Sequence, residues 1–319
     1  MIPTIPTTAP ATTAHKSVLL KESLDSLDLR AGGVFVDATL GGGGHSAEVI
    51  ARFGKEVKIV AIDLDQAAID LAMKRLEVGN VQYYCGSFRN LDLALAGQKV
   101  DAELFDLGWN ADQFEAAERG FSFQKDGPLK MMFSQTETPA PVVGVRPGAV
   151  ANALPRFTAR DIVNSWEEQN IADVIYAYGE ERYSRRIARA ICEARAQKPI
   201  ETTFELVAII GHSVPFFYKK GKTHFATRTF QALRIAVNDE LSALKEGLWK
   251  GFDALAPGGR MAVISFHSLE DRIVKRYFKE KADQGEAELV TKKPIVPSDE
   301  EMQENRRSRS AKLRVLKKN

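Results

Sequence analysis

The chain has 319 residues and 44% hydrophobic content, enough for one large domain, or a domain with an insertion, around a sizeable core. Its two cysteines, Cys85 and Cys192, are too few for a disulfide framework and sit in no metal-ligand spacing, so neither disulfides nor a metal is expected and a reducing cytoplasm fits best. No long apolar run and no charged-then-apolar leader occurs, which argues against a membrane span or a secretory signal. The formal net charge of +2 hides an uneven distribution: from Tyr176 to Arg234, 11 Lys/Arg stand against 5 Asp/Glu. The last stretch, NRRSRSAKLRVLKKN, adds seven basic residues and no acid. Basic runs are often only solvated faces, but two of them in a near-neutral chain point to a phosphate-rich partner.

Residues 1–14, MIPTIPTTAPATTA, are Pro/Thr-rich without an apolar period and read as a disordered lead-in. An α/β pattern follows. GVFVDAT is a buried strand, 44–53 a helix, VKIVAIDLD a second strand, 66–76 a helix, VQYY a third strand and VDAELFDLG a fourth. Strands alternating with helices predict a parallel, doubly wound sheet. The alternation then stops. A proline-rich loop at 133–157 leads into the helical periods of TARDIVNSWEEQNIADVIYAYG, ERYSRRIARAICEARAQ and TTFELVAIIGHSV. The sheet pattern resumes with one long helix over about 227–255, a Gly-Gly turn, the strand RMAVISF and a helix over 269–281. AELVTK and AKLRVL then close the sheet edge as an antiparallel pair. The expected division is a sheet domain from 15–112 and 223–319 with a helical insert at 113–222.

Four glycines, Gly41 to Gly44, lie between the first strand and its helix. Bare backbone at the carboxyl end of a parallel strand lets N–H groups approach a ligand, and an acid ending the next strand, here Asp63, accepts from ribose hydroxyls. Both NAD and S-adenosylmethionine are compatible with that pair. Three details favour the methyl donor. Asp37 precedes the glycines, where a carboxylate orders the loop around a cationic amino-acid group. The loop holds His45, and Ser46 replaces the third glycine of GxGxxG. The fourth strand ends in DLGW, an acid followed three positions on by an aromatic, similar to the Asp-Pro-Pro-aromatic signature of enzymes that methylate exocyclic amines.

From HKSVLLKESLDSL almost to its end, the chain resembles the RsmH (MraW) family of 16S rRNA cytosine-N4 methyltransferases. The blocks that carry this are GGGGHS, AIDLDQ, ERGFSF, DGPL, YGEERYSRRIARAI, ATRTFQALRIAVNDEL, LAPGGRMAVISFHSLEDRIVKRYF and RSAKLRV. The resemblance implies a Rossmann-like class I methyltransferase with an inserted helical substrate-recognition domain. That enzyme would use S-adenosylmethionine to methylate N4 of a cytidine in the decoding region of the small ribosomal subunit. It also implies cofactor contacts at Gly43, Gly44, His45, Asp63, Phe88, Asp106 and Gln113. Two stretches depart from the family pattern. DLGWNA stands for Asp-Leu-Gly-Val-Ser-Ser, and DGPLKMMFS carries Lys130, Met132 and Ser134 in place of two acids and an arginine.

Asp106 and Trp109 are the candidate catalytic residues: the carboxylate accepts the amine N–H bonds, and the indole offers a face to the flipped base. A hole-filling Trp109 is the plainer alternative. His267, at a strand end opening a helix, is a substrate-site candidate beside Ser268 and Asp271, whose spacing is that of a capping box. Arg228, Arg234, Arg185 and Arg186 are candidate phosphate contacts, with nearby glutamates as competing partners. Phe216, Phe217 and Tyr218 beside Lys219, Lys220 and Lys222 suit base stacking, but core packing is the expectation for aromatics at a helix end. Competing functions are a methyltransferase acting on DNA or protein, and a cofactor-binding ribosome-assembly factor without turnover. Oligomeric state is left open, a dimer included.

Overall fold

In a computed structural model, residues 16–108, 116–133 and 157–319 are described. The lead-in at 1–14, Trp109, Gln113, Ser134 and nearly all of the proline-rich loop lie outside them. Five parallel strands form the body of a seven-stranded sheet: β1 (Val34–Asp37), β2 (Lys58–Asp63), β3 (Asn80–Cys85), β4 (Val100–Asp106) and β5 (Leu255–Ser265). The strand order is β3-β2-β1-β4-β5-β7-β6. β7 (Lys312–Lys318) runs antiparallel between β5 and β6 (Ala287–Leu289), so the expected edge pair forms, with the AELVTK strand shorter than its apolar run.

Side chains alternate across the strands, and here both faces are covered. Phe35, Ile59, Leu104 and Ile264 pack on one side with α1 (Leu20–Leu27), α2 (Gly44–Phe53) and α3 (Gln66–Arg75). Val36, Val60, Phe105 and Val263 pack on the other with α4 (Leu91–Leu95), α11 (Glu240–Ala254) and α12 (Ser268–Asp283). Burial on both faces is why these strands read as near-continuous apolar runs.

A separate apolar cluster around Ile162, Ile175, Ile187, Ile210 and Leu233 holds the helical unit together. Its helices are α5 (Ala159–Ser165), α6 (Glu168–Gly179), α7 (Ser184–Gln197), α8 (Thr203–Ser213), α9 (Phe216–Lys219) and α10 (Thr227–Asn238). Thr158 with Asp161 and Thr202 with Glu205 form capping boxes that start α5 and α8.

The single helix expected over 227–255 is two helices. Asp239, with φ 46°, breaks α10 from α11. Phe230 and Leu233 belong to the helical core while Leu244 and Leu248 belong to the sheet core, and the break lets one chain segment serve both. Arg89 pins it by donating to the Asp239 carboxylate at 2.5 Å. Apolar packing thus carries the helical unit to Asn238, beyond the expected boundary at 222. The two units are tied by Arg119 to Asp65 at 2.6 Å and by Glu180, which accepts from Ser268 Oγ at 2.7 Å and Arg272 at 2.8 Å. Among the described residues no helix is long and apolar enough to cross a membrane.

Candidate active site

The sheet order reverses where β1 lies beside β4, and the carboxyl ends of these strands open onto two cavities of about 450 and 150 Å³. Ligands of open α/β sheets collect at such a point. The cavities meet at Thr39, Gly41, Asp106 and Gly108. Thr39 Oγ1 accepts the Asp106 backbone N–H at 2.6 Å, which joins the ends of β1 and β4.

The glycine turn serves two needs. Gly41 and Gly43 have φ of 50° and 71°, conformations a side chain would strain. A Cβ on Gly44 would meet Ser17 Oγ at 1.9 Å, because the N-terminal strap Lys16–Val18 lies directly over the turn. Asp37 is buried beneath this turn and accepts from Ser46 Oγ at 2.7 Å and Thr39 N–H at 3.4 Å. Burial raises its carboxyl from the ordinary value, against the lowering effect of His45 and Ser46. It orders the loop from below and lines neither cavity. Ser46, where a dinucleotide loop has glycine, is therefore the hydroxyl that pairs with Asp37. His45 is buried, with Nε2 at 3.3 Å from the Val18 carbonyl and Nδ1 at 3.8 Å from the Asp106 carboxylate.

Asp63 ends β2 and opens onto the smaller cavity. It accepts from Gly41 N–H at 2.8 Å and Asp65 N–H at 2.9 Å, yet enclosure still pushes its carboxyl up to about 6. Such a carboxyl has acceptor capacity left for hydroxyl donors. Phe88 lines the same cavity, held edge-on to Phe105 at 5.7 Å. Asp106 stands between the two spaces, its Oδ1 accepting from Gly108 N–H at 3.0 Å.

The substrate-side candidates divide. His267 caps α12 in a box with Glu270, one residue ahead of the expected Ser268–Asp271 frame, and is largely buried. Asp271 is instead drawn to Arg314 at 2.7 Å and Lys312 at 3.2 Å. Arg234 lines the larger cavity, but it is only 3% exposed and bidentate to Glu240, at 2.6 and 2.8 Å. Glu240, His267 and Glu270 lie within 4.8 Å of one another, so Arg234 and His267 belong to one largely buried polar cluster. Arg228, Arg185 and Arg186 remain exposed, and Arg228 donates to the Glu180 carbonyl at 2.8 Å. Of the C-terminal basic run, Lys312, Arg314, Lys317 and Lys318 are engaged on the sheet domain, whereas Arg307 lines the larger cavity. Phe121, Phe123, Gln231, Phe266 and the strap also line that cavity and were not singled out from the sequence. ERGFSF was legible as a block, but nothing in it says that both rings face the cleft. Lys130 and Met132 line neither cavity.

A dinucleotide-binding sheet has the order 3-2-1-4-5-6. Here an antiparallel seventh strand separates β5 from β6, and the choice left open by the glycine turn resolves in favour of the Rossmann-like, S-adenosylmethionine-dependent methyltransferases. The MraW methylase family matches residues 12–143 and 152–319, and the chain belongs to that family. "Ribosomal RNA small subunit methyltransferase H" of Brevibacillus brevis is 41% identical over 326 residues, covering 95% of this chain and 98% of that one. The protein of the same name from Clostridium botulinum (strain Loch Maree / Type A3) is 42% identical over 323 residues, with the same coverage. An rRNA methylase structure from Streptococcus thermophilus overlaps 96% of this chain and 99% of that one, at 14% identity and a TM-score of 0.43, a likeness too loose to carry an argument.

The donor fits the residues present. Asp63 would take the ribose hydroxyls, Phe88 would flank the base, and the glycine turn with His45 would enclose the amino-acid end.

Proposed function

We propose that this chain methylates N4 of a cytidine in the decoding region of 16S rRNA, working in the cytoplasm on small-subunit particles. The observation that carries the reading is the position of Asp106, which brings a carboxyl to the boundary between the donor-side cavity and the cavity walled by the helical unit. Membership of the MraW family and relatives named as small-subunit rRNA methyltransferases support the substrate class.

When bound, the donor supplies an electrophilic methyl group on a sulfonium. The remaining work falls to this chain. An exocyclic cytosine amine is a poor nucleophile because its lone pair is delocalised into the ring. Asp106, accepting an amine N–H, localises that pair for in-line attack. Bound there, the donor would supply the methyl group and its sulfur would keep the bonding pair; on this chain's side the Asp106 carboxylate takes the proton that the methylated amine sheds, with His45 Nδ1 3.8 Å beyond. The target base must leave its stack, at a cost of a few kcal/mol, and the larger cavity with Phe121 and Phe123 on its wall is the space it would enter. Trp109, proposed from the sequence as a stacking face, and Gln113, proposed as a donor contact, lie outside the described residues. Arg234 and His267 take a positioning role through Glu240 and Glu270, while Arg185, Arg186 and Arg228 are proposed to hold phosphates.

The test is transfer of labelled methyl groups to small-subunit particles from cells lacking this activity, followed by digestion to nucleosides. Label in N4-methylcytidine, lost in Asp106→Ala, is the expected result. Label on another nucleoside or on protein, or donor binding without any transfer, refutes the reading.

A further inference from the structure

Phe216 and Phe217 are 70% and 65% exposed, although aromatics beside a helix end were expected to pack into core. Their neighbour Tyr218 turns inward, its hydroxyl donating to the buried Glu181 and its ring set edge-on to Tyr183 at 5.0 Å. Arg182 lies over both tyrosine rings, at 4.9 and 5.3 Å. The short α9 is therefore anchored on one side while it offers two phenyl rings on the other. Lys219, Lys220 and Lys222 are exposed beside them, with Lys220 Nζ 4.7 Å from the Phe216 ring centre. From Leu206 to Asn238 the chain carries no acidic residue.

The surface continues in both directions. Toward the N-terminus, Arg185, Arg186 and Arg189 of α7 line a groove with His212 and Ser213, just ahead of Pro215 and Phe216, and Glu193 is the one acid in its wall. Toward the C-terminus, exposed His224 stacks flat on Phe123 at 4.6 Å, and Phe123 lines the larger cavity of the active site together with Thr227. Cations thus flank the two exposed rings of α9, from α7 on one side to the mouth of the cleft on the other.

We infer that α9 is a stacking platform for unpaired RNA, with Phe216 and Phe217 each taking a base face and the flanking lysines and arginines holding the phosphates. Every base has a π-face, so aromatic stacking beside cations suits single strands irrespective of sequence, whereas in a duplex those faces are covered. The inference rests on the proposed rRNA methylation and adds where the nucleotides flanking the target are held. It also accounts for two adjacent phenylalanines left in water.

The decisive variant is Phe216→Leu with Phe217→Leu in the full chain, because leucine keeps apolar bulk and removes the π-face. Fluorescence anisotropy would follow binding of a labelled 20-nucleotide single strand and of the same strand in duplex, while calorimetry of S-adenosylmethionine binding reports on the fold. The expected result is tighter binding of the single strand than of the duplex by the unaltered protein. The double leucine variant should lose about tenfold or more of the single-strand affinity at unchanged donor affinity, and Phe216→Tyr with Phe217→Tyr should restore it. Equal RNA binding by the leucine variant overturns the platform, as does an unaltered protein that prefers duplex. Binding to phosphatidylglycerol vesicles that is lost in the leucine variant while RNA binding persists also overturns it, in favour of a membrane surface. Transfer assays separate this from the reading it rests on. Methylation of small-subunit particles that is intact in the leucine variant removes the platform alone, whereas no methylation of RNA by the unaltered protein removes the function.

Discussion

Asp63 is the proposed ribose contact of the donor, and its proton sets how well it can serve. Its carboxyl is pushed up to about 6 by enclosure, and the carboxylate accepts hydroxyl donors more strongly than the neutral acid does, so the proposed ribose contact favours the charged form. Affinity for S-adenosylmethionine should therefore be highest above pH 6 and fall as pH drops from 7 toward 5. Calorimetry across that range should show the fall for the native protein and none for Asp63→Asn, while Asp63→Ala should cost about 1.5–3 kcal/mol at pH 7.5, one charged hydrogen bond. Glu103 shows the same physics with no ligand involved. It is fully buried in β4, neither carboxyl oxygen has a hydrogen-bond partner among the described residues, and burial raises its carboxyl to about 8 despite the nearby Lys318. The folded chain keeps this proton while the unfolded chain releases it near the ordinary value of 4.5, so this contribution to stability is lost progressively as pH rises from about 4.5 to about 8. Denaturant unfolding should find Glu103→Gln gaining on the native protein by a few kcal/mol between pH 5 and pH 9, and parallel pH profiles for the two would contradict the assignment.

The junction of α10 and α11 is the element on which the two units turn. Asp239 adopts a left-handed conformation there, and its carboxylate holds Arg89. Asp239→Gly relieves the strain and loses the ion pair, whereas Asp239→Ala loses the pair and keeps the strain, so the alanine variant should melt lower than the glycine one. One turn earlier, Arg234 is bidentate to Glu240, whose carboxyl burial already raises. Removing the arginine leaves a buried acid without its cation. Arg234→Met should cost about 3–5 kcal/mol by chemical denaturation. A loss of RNA affinity with unchanged stability would instead make Arg234 a direct phosphate contact.

For the whole molecule, three apolar clusters, one on each face of the sheet and one in the helical unit, surround one cleft, with the larger cavity walled by the sheet domain, the helical unit and both terminal segments. Asn305 Nδ2 donates to the Lys16 carbonyl at 3.0 Å and Glu301 accepts from Leu19 N–H at 2.8 Å, so the C-terminal region holds the strap over the glycine turn. Deletion of residues 311–319 removes β7 with Leu313, Val315 and Leu316, and leaves the β5 edge without its partner. The truncated chain should show no cooperative melt near that of the full chain. If the proposed phosphate contacts are spread over the helical unit, short cytidine oligomers should be poor acceptors compared with small-subunit particles, and RNA affinity should fall steeply with added salt. A salt-independent affinity would count against the helical unit as the RNA-holding part.

Much of this was legible in order along the chain. Strand and helix periods, the glycine turn, the acids ending β2 and β4, and the interruption of the α/β pattern are local signals, set by backbone sterics and by which face of each element must leave water. What only the tertiary structure decided are the relations between distant elements. The break at Asp239 is invisible to a helical period that runs unbroken through it, because it answers to two cores rather than to local propensity. His267 and Arg234 read as substrate-site candidates, and only folding shows that Glu240 and Glu270 are brought to them, Arg234 pairing with Glu240 while it still lines the larger cavity. Phe216 and Phe217 have the composition of core residues. Their exposure follows from Tyr218 and Glu181 claiming the inward side of α9, a competition for space that appears only once the helices are packed.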